Sequence, residues 1–222
     1  TTERNGTERN GTERNGTGSL ENGGSTTKRG NGESRHTVQS QKVRFAPEHF
    51  TMRVSNAVLV RDSTARAGRH NFIQNWDFGA SDLVFLRTHS EQAEAFTSST
   101  DPRGATACSE THHALAVAVL VDQSTVSDCW KMVNRLTWSS GAGHTATESV
   151  FWNLQGTGSL TSHQFGRGYV IGTAVAEVTT AVLDLYESLG TAPEDFTEGI
   201  GAAAALAPPS LFEDQRARRH GR

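Results

Sequence analysis

Nine histidines and two cysteines are the residues of this 222-residue chain with the most chemistry to offer. Cys108, His112 and His113 put three possible metal ligands within six residues, and Cys129 lies downstream. Structural zinc centres pair two such clusters, because four ligands must close a tetrahedron, and here the second cluster is missing. A three-ligand centre completed by His144 or His163 would leave no signature in the sequence. The histidines are therefore expected to be surface or hydrogen-bonded side chains, with no metal and no cofactor. Two cysteines 21 apart exclude a disulfide scaffold by count. A single bridge stays open, and two reduced, partly buried thiols is the simpler expectation.

Gly166-x-Gly168-x3-Gly172 could offer bare backbone N–H groups to an anion at a helix start. The dinucleotide fingerprint needs G-x-G-x-x-G after a strand and an acid at a strand end about 20 residues on, and neither is met. No Gly-Lys-Ser/Thr triplet is present for a phosphate loop, and close packing of a glycine-rich segment is the expected role. A Gly-x-Ser-x-Gly elbow is also absent, and neither cysteine sits in a catalytic signature. Thr1 opens a polar repeat and not an anchored nucleophile site. The pairs Glu91/Glu94 and Asp184/Glu187 fall three apart on expected helices, where solvated faces are the ordinary outcome. The remaining charged constellation is Arg216, Arg218, Arg219 and Arg222 at the end of the chain, enough for a few salt-dependent phosphate contacts. No aromatic follows Phe212 to stack on bases.

The elements that must position these groups are read from periodicity. Phe50–Val60 and Asp82–His89 are rich in β-branched and aromatic residues and read as strands. Ala114–Val121 is a continuous apolar run of strand length, expected to be buried on both faces. Glu91–Phe96 reads as a helical turn. Val126, Cys129, Trp130, Val133 and Leu136 recur at three and four, as a helix would require, with Ser124 or Thr125 as its cap. Ser149–Leu154 fits a strand or a helix, Gly156–Gly168 a loop, and Tyr169–Gly172 a strand. Val175, Val178, Val182, Leu185 and Leu189 mark a second helix stopped by Gly190. The expected fold class is α+β: one compact domain over residues 37–190 with a mixed sheet and two main helices. A long polar arm, residues 1–36, precedes it, and an irregular tail with a basic end, residues 191–222, follows.

The arm carries the plainest pattern in the chain, Thr-Glu-Arg-Asn-Gly three times over Thr2–Gly16. A period of five matches neither strand nor helix, so no apolar face forms. Leu20 is its one apolar side chain, and ordering each residue costs about 1–2 kcal/mol, so the arm is expected to be disordered when free. Its sequons at Asn5, Asn10 and Asn15 are copies made with the repeat, in an opening that is neither a signal nor a transit peptide.

The net charge is −3, which excludes binding to nucleic acid by bulk attraction alone. The longest apolar run has eight residues against roughly 20 for a bilayer span, and no membrane role is expected. The chain reads as a non-enzymatic structural or interaction protein of a larger assembly, with a viral capsid or capsid-associated protein as an example. Its partners would be subunits of that assembly, copies of itself included, inside a cell or a virion and not secreted. The expected partner contacts are Thr2, Glu3, Arg4, Asn5, Thr7, Arg9, Thr12 and Arg14 on the arm, and Arg216, Arg218, Arg219 and Arg222. One alternative is a small enzyme with a site at Gly156–Gly172 and His144 or His163 as its acid–base group. A second is an accessory protein that binds nucleic acid through the C-terminal arginines.

Overall fold

Val60, Phe85, Val121, Phe151 and Val170 stand side by side in one ladder and all are buried. They come from stretches far apart in the chain, and every pairing between them is parallel. Parallel neighbours need a long crossover, usually a helix. Here the crossover is the rest of a coil, and the chain winds as a parallel β-solenoid. The computed structural model describes residues 37–38, 48–74, 79–98, 101–136, 142–180 and 193–221. Contacts divide the chain into Thr1–Ser34 and Arg35–Arg222, and all the described residues belong to the second unit.

Four parallel sheets form the sides of the coil. The seven-stranded sheet holds, in order, β1 (Thr37–Val38), β4 (Leu59–Arg61), β8 (Val84–Leu86), β14 (Leu120–Asp122), β17 (Val150–Trp152), β19 (Tyr169–Ile171) and β21 (Phe196–Glu198). The six-stranded sheet holds β2 (Glu48–Met52), β6 (His70–Gln74), β12 (Ser109–Thr111), β16 (Cys129–Val133), β18 (Ser159–His163) and β20 (Glu177–Thr179). Between them lie two three-stranded sheets. One joins β3 (Ser55–Asn56), β7 (Ala80–Ser81) and β13 (Ala116–Val117); the other joins β5 (Thr64–Arg66), β9 (His89–Glu91) and β15 (Thr125–Val126). A hairpin of β10 (Ala95–Ser98) and β11 (Asp101–Thr106) is inserted in one coil.

The corners are made by single residues in the left-handed region. Asp62, Arg87, Gln123, Asn153, Gly172 and Gly199 follow successive strands of the seven-stranded sheet, all with φ between 49° and 63°. The first five pass their N–H to the next coil: Asp62 to the Leu86 carbonyl, Arg87 to Asp122, Gln123 to Trp152, Asn153 to Ile171 and Gly172 to Glu198. Ala57, Asp82 and Ala118 turn the chain in the same way before that sheet, and Ala67 and Gln92 after β5 and β9.

The interior is filled by side chains stacked from coil to coil. Phe50 stacks on Phe72 at 5.0 Å, Phe72 on Trp130 at 5.4 Å, and Phe85 sits edge-on to both Phe72 and Trp130. Phe72 and Trp130 are two coils apart, with Ser109 on the strand between them. Backbones two coils apart are separated by about 9.6 Å, twice the strand spacing, so the rings lean together over the small Ser109 side chain. Each such ring removes about 150–250 Å² from water, a gross contribution of roughly 4–6 kcal/mol.

This architecture overturns the expected α+β fold with two main helices. The residues expected as the first helix, 125–136, form β15 and β16. Four of the five β16 residues are buried, so alternation is lost and a spacing of three and four arises by coincidence. In the second expected helix, Glu177–Thr179 is β20, and residues 181–189 lie outside the described residues. Phe50–Val60, Asp82–His89 and Ala114–Val121 are each cut by corners, at Val54 and Ala57, at Arg87, and at Leu115 and Ala118. Glu91–Phe96 is not helical but joins the end of β9 to β10, and β18 lies inside the expected 156–168 loop. The expected irregular tail contains a helix, α1 (Leu211–Arg219). Ser210 caps it by accepting the Glu213 N–H, acids occupy its first turn, and Arg216, Arg218 and Arg219 its last.

Candidate functional site

Glu110 is the central residue of β12, in register with Ile73 of β6 and Lys131 of β16. Its side chain is only 5% exposed, and a bare carboxylate there would be costly. Three cations or potential cations converge on it. Arg135, just beyond β16, donates from Nη2 to Oε2. His112 Nδ1 lies 2.5 Å from Oε1, and His70 Nδ1 lies 3.6 Å from the same oxygen. His70 Nδ1 is also 2.6 Å from the Cys108 carbonyl oxygen. His113 stacks on His112 at 4.6 Å, and its backbone N–H donates to Gln74 Oε1.

The electrostatics follow from burial and pairing. Burial opposes ionisation of Glu110 more than any other single influence, yet Arg135, His112 and His70 together hold its carboxyl well below the usual range. Burial lowers His70 despite the facing Glu110. Burial, then His112 and Arg135, push His113 down to about 4. At neutral pH the cluster therefore joins a carboxylate and a guanidinium to neutral His70 and His113.

Cys108 and Cys129 fix this arrangement. Cys108 immediately precedes β12 and Cys129 opens β16, one step before the Ser109–Trp130 pair, and with Cα atoms 4.8 Å apart they form a disulfide. The expectation of two reduced thiols is thus corrected: consecutive coils bring residues 21 apart in the chain side by side. The sequence constellation Cys108, His112, His113 is divided. The cysteine is bonded to Cys129, and His112 faces Glu110. His70 and Arg135 gave no sequence signal, being 40 and 25 residues from Glu110, and only the stacking of coils joins them.

The other sequence candidates are placed differently. The backbone N–H groups of Gln164, Gly166 and Gly168 all donate to the buried Asp195 carboxylate, at 2.8, 3.0 and 3.2 Å. An internal acid occupies the position considered for a phosphate, and a Cβ on Gly168 would collide with Asp195 Oδ2. His163 is completely buried in β18, edge-on to Phe165, whereas His144 is exposed and accepts from Asn134 Nδ2. Glu91 lies on β9, and Asp184 and Glu187 lie outside the described residues. Arg216, Arg218 and Arg219 are exposed on α1, where Arg218 pairs with Asp214 at 2.8 Å. Thr2, Glu3, Arg4, Asn5, Thr7, Arg9, Thr12, Arg14 and Arg222 lie outside the described residues.

A second surface stands out on the seven-stranded sheet. The outward positions next to its buried ladder are Leu59, Val84, Leu120, Val150, Tyr169 and Phe196, aligned strand to strand. None is buried, and exposure reaches 40% at Tyr169 and 51% at Phe196, with Ile200 beside them in sequence at 50%. Comparison with known protein families, with curated proteins and with solved structures gives no match to this chain.

Proposed function

We propose that this protein is an interaction subunit of a larger protein assembly and that it associates with copies of itself through the outer face of the seven-stranded sheet. The apolar row from Leu59 to Phe196 carries this reading. A sheet with one wet face alternates apolar inside and polar outside, yet here the first of the two outward positions is apolar on six successive strands. Five strand spacings of about 4.8 Å give a row of roughly 24 Å. Contiguous apolar surface of this kind marks an interaction site. At its end, β21 is paired by β19 and, among the described residues, by no strand on its other side, and all three of its residues are exposed, so a strand edge adjoins the exposed Tyr169 and Phe196 side chains. Arg216 and Arg219 would supply a charged rim, and the polar repeat Thr2–Gly16 an extended arm to a neighbour.

Sedimentation of the full chain over a wide concentration range tests this. Reversible association is expected, and Tyr169→Lys with Phe196→Glu should abolish it while leaving thermal unfolding of the monomer intact. A chain that stays monomeric at all concentrations, or association untouched by the double substitution, would overturn the proposal.

A further inference from the structure

We infer that His70, Glu110 and His112 form a binding site for one borderline divalent transition ion, of which Zn²⁺ is the type. One ligand atom from each residue lies within 4.8 Å of the other two. The imidazole Nδ1 atoms of His70 and His112 both face the same oxygen, Glu110 Oε1, at 3.6 and 2.5 Å. Zinc–nitrogen and zinc–oxygen bonds near 2.1 Å in a tetrahedron place ligand atoms about 3.4 Å apart. The His70 distance, 3.6 Å, is close to this value. The other, 2.5 Å, is a hydrogen-bond distance, and opening it by about 1 Å admits the ion.

The donor set selects the metal. Two imidazole nitrogens and one carboxylate oxygen suit zinc, cobalt, nickel or copper, whereas calcium and magnesium require an oxygen cage. Arg135 holds the far oxygen, Oε2, and so fixes the carboxylate with Oε1 toward the imidazoles. His70 Nδ1 is also 2.6 Å from the Cys108 carbonyl oxygen, a hydrogen bond that the ion replaces when Nδ1 gives up its proton and becomes a ligand. The ligands sit on firm backbone. His70 and Glu110 belong to adjacent strands of one sheet, and the disulfide two residues before Glu110 ties β12 to β16. The His112 side chain, 17% exposed, is the entry side.

The test is calorimetric titration of Zn²⁺ and Co²⁺ into the chelator-washed full chain with its disulfide intact, with Co²⁺ also followed by visible absorption. One ion per chain is expected, with a tetrahedral cobalt band and a Zn²⁺-dependent rise in melting temperature. His112→Ala and His70→Ala should each weaken binding at least tenfold and erase the cobalt band. His89→Ala, which removes an imidazole on β9 outside the cluster, should keep both. Should His70→Ala fail to fold, His112→Ala at the rim decides alone. No stoichiometric binding by the folded chain, or binding unchanged in folded His112→Ala, overturns the inference.

Discussion

The hydroxyl of Ser210 donates to the carboxylate of Asp122 at 2.7 Å, across 88 residues of chain. Asp122 is completely buried at the end of β14, and it also accepts the Phe212 N–H at 2.8 Å. One carboxylate thus meets the first turn of α1, where the helix dipole favours negative charge. The same segment is held by Trp152 Nε1 donating to the Pro208 carbonyl, Asn153 Nδ2 to the Pro209 carbonyl, and Arg87 to Glu213. Asp122→Ala is expected to cost about 1–3 kcal/mol by leaving these donors unmet, and Ser210→Ala about 1 kcal/mol as a lost cap. Both should expose Arg216, Arg218 and Arg219 to trypsin faster than in the parent. Unchanged cleavage rates would show that the helix is held by other contacts.

The Cys108–Cys129 bridge closes a loop of 21 residues between neighbouring coils. In the chain-entropy account, a loop of this size stabilises by roughly 3 kcal/mol. The Cys108→Ser, Cys129→Ser double variant should therefore unfold at markedly lower urea concentration, with reductant giving the parent the same midpoint. Because Glu110 lies on β12, one of the two strands that the bridge ties, the variant should also lose order around β12 first, visible as faster amide exchange at Glu110 and Thr111.

Little of this fold was legible in the sequence, and the reasons are physical. Asp62 and Arg87 stand at the same corner 25 residues apart, but Arg87 and Gln123 are 36 apart because the β10–β11 hairpin is inserted, so no fixed repeat length survives. Asn153, Gly172 and Gly199 are the residues that would announce a left-handed turn, but most of the other corners are filled by alanine, aspartate, arginine and glutamine, which do not. Runs such as Ala114–Val121 therefore read as single strands. The site was half legible. His112 and His113 drew attention by spacing, whereas Glu110, His70 and Arg135 look ordinary until the coils are stacked.

Acid should destabilise the protein in two stages. His113 is held at about 4 by burial and by His112 and Arg135, against the opposing pull of Glu110 and Glu48, and burial lowers His70 as well. Above the unfolded value of 6.5 both forms are neutral and nothing changes. Below it the unfolded chain binds protons that the folded chain refuses, so stability falls as pH drops from about 6.5 toward 4. Glu110 adds a second loss as pH falls through and below its unfolded value of 4.5. Asp122 and Asp128, both raised by burial, act in the opposite direction just above 3.8, since the folded chain protonates them first. Urea midpoints measured between pH 7 and 4 should decline, and His113→Asn should flatten the decline. A midpoint independent of pH over this range would contradict the assignment of neutral histidines.

The corner residues supply a comparison in which one substitution has opposite signs two positions apart. Ala67 is exposed at the corner after β5, with φ of 59°, and its N–H donates to the Glu91 carbonyl. A Cβ in this conformation crowds the backbone at a cost of about 1–2 kcal/mol, while glycine brings an entropic penalty of roughly 0.5–1 kcal/mol. Ala67→Gly keeps the hydrogen bond and should raise stability by a few tenths to about 1 kcal/mol. Ala67→Val, β-branched at positive φ, should lower it by at least about 1 kcal/mol. Ala65, two residues earlier on β5, is 4% exposed and packs in the core. There the same change to glycine removes a buried methyl and loosens a strand, so Ala65→Gly should destabilise by about 1 kcal/mol or more. Denaturant midpoints of the three variants decide the matter: if Ala67→Gly falls with Ala65→Gly, the left-handed corner carries no strain for glycine to relieve.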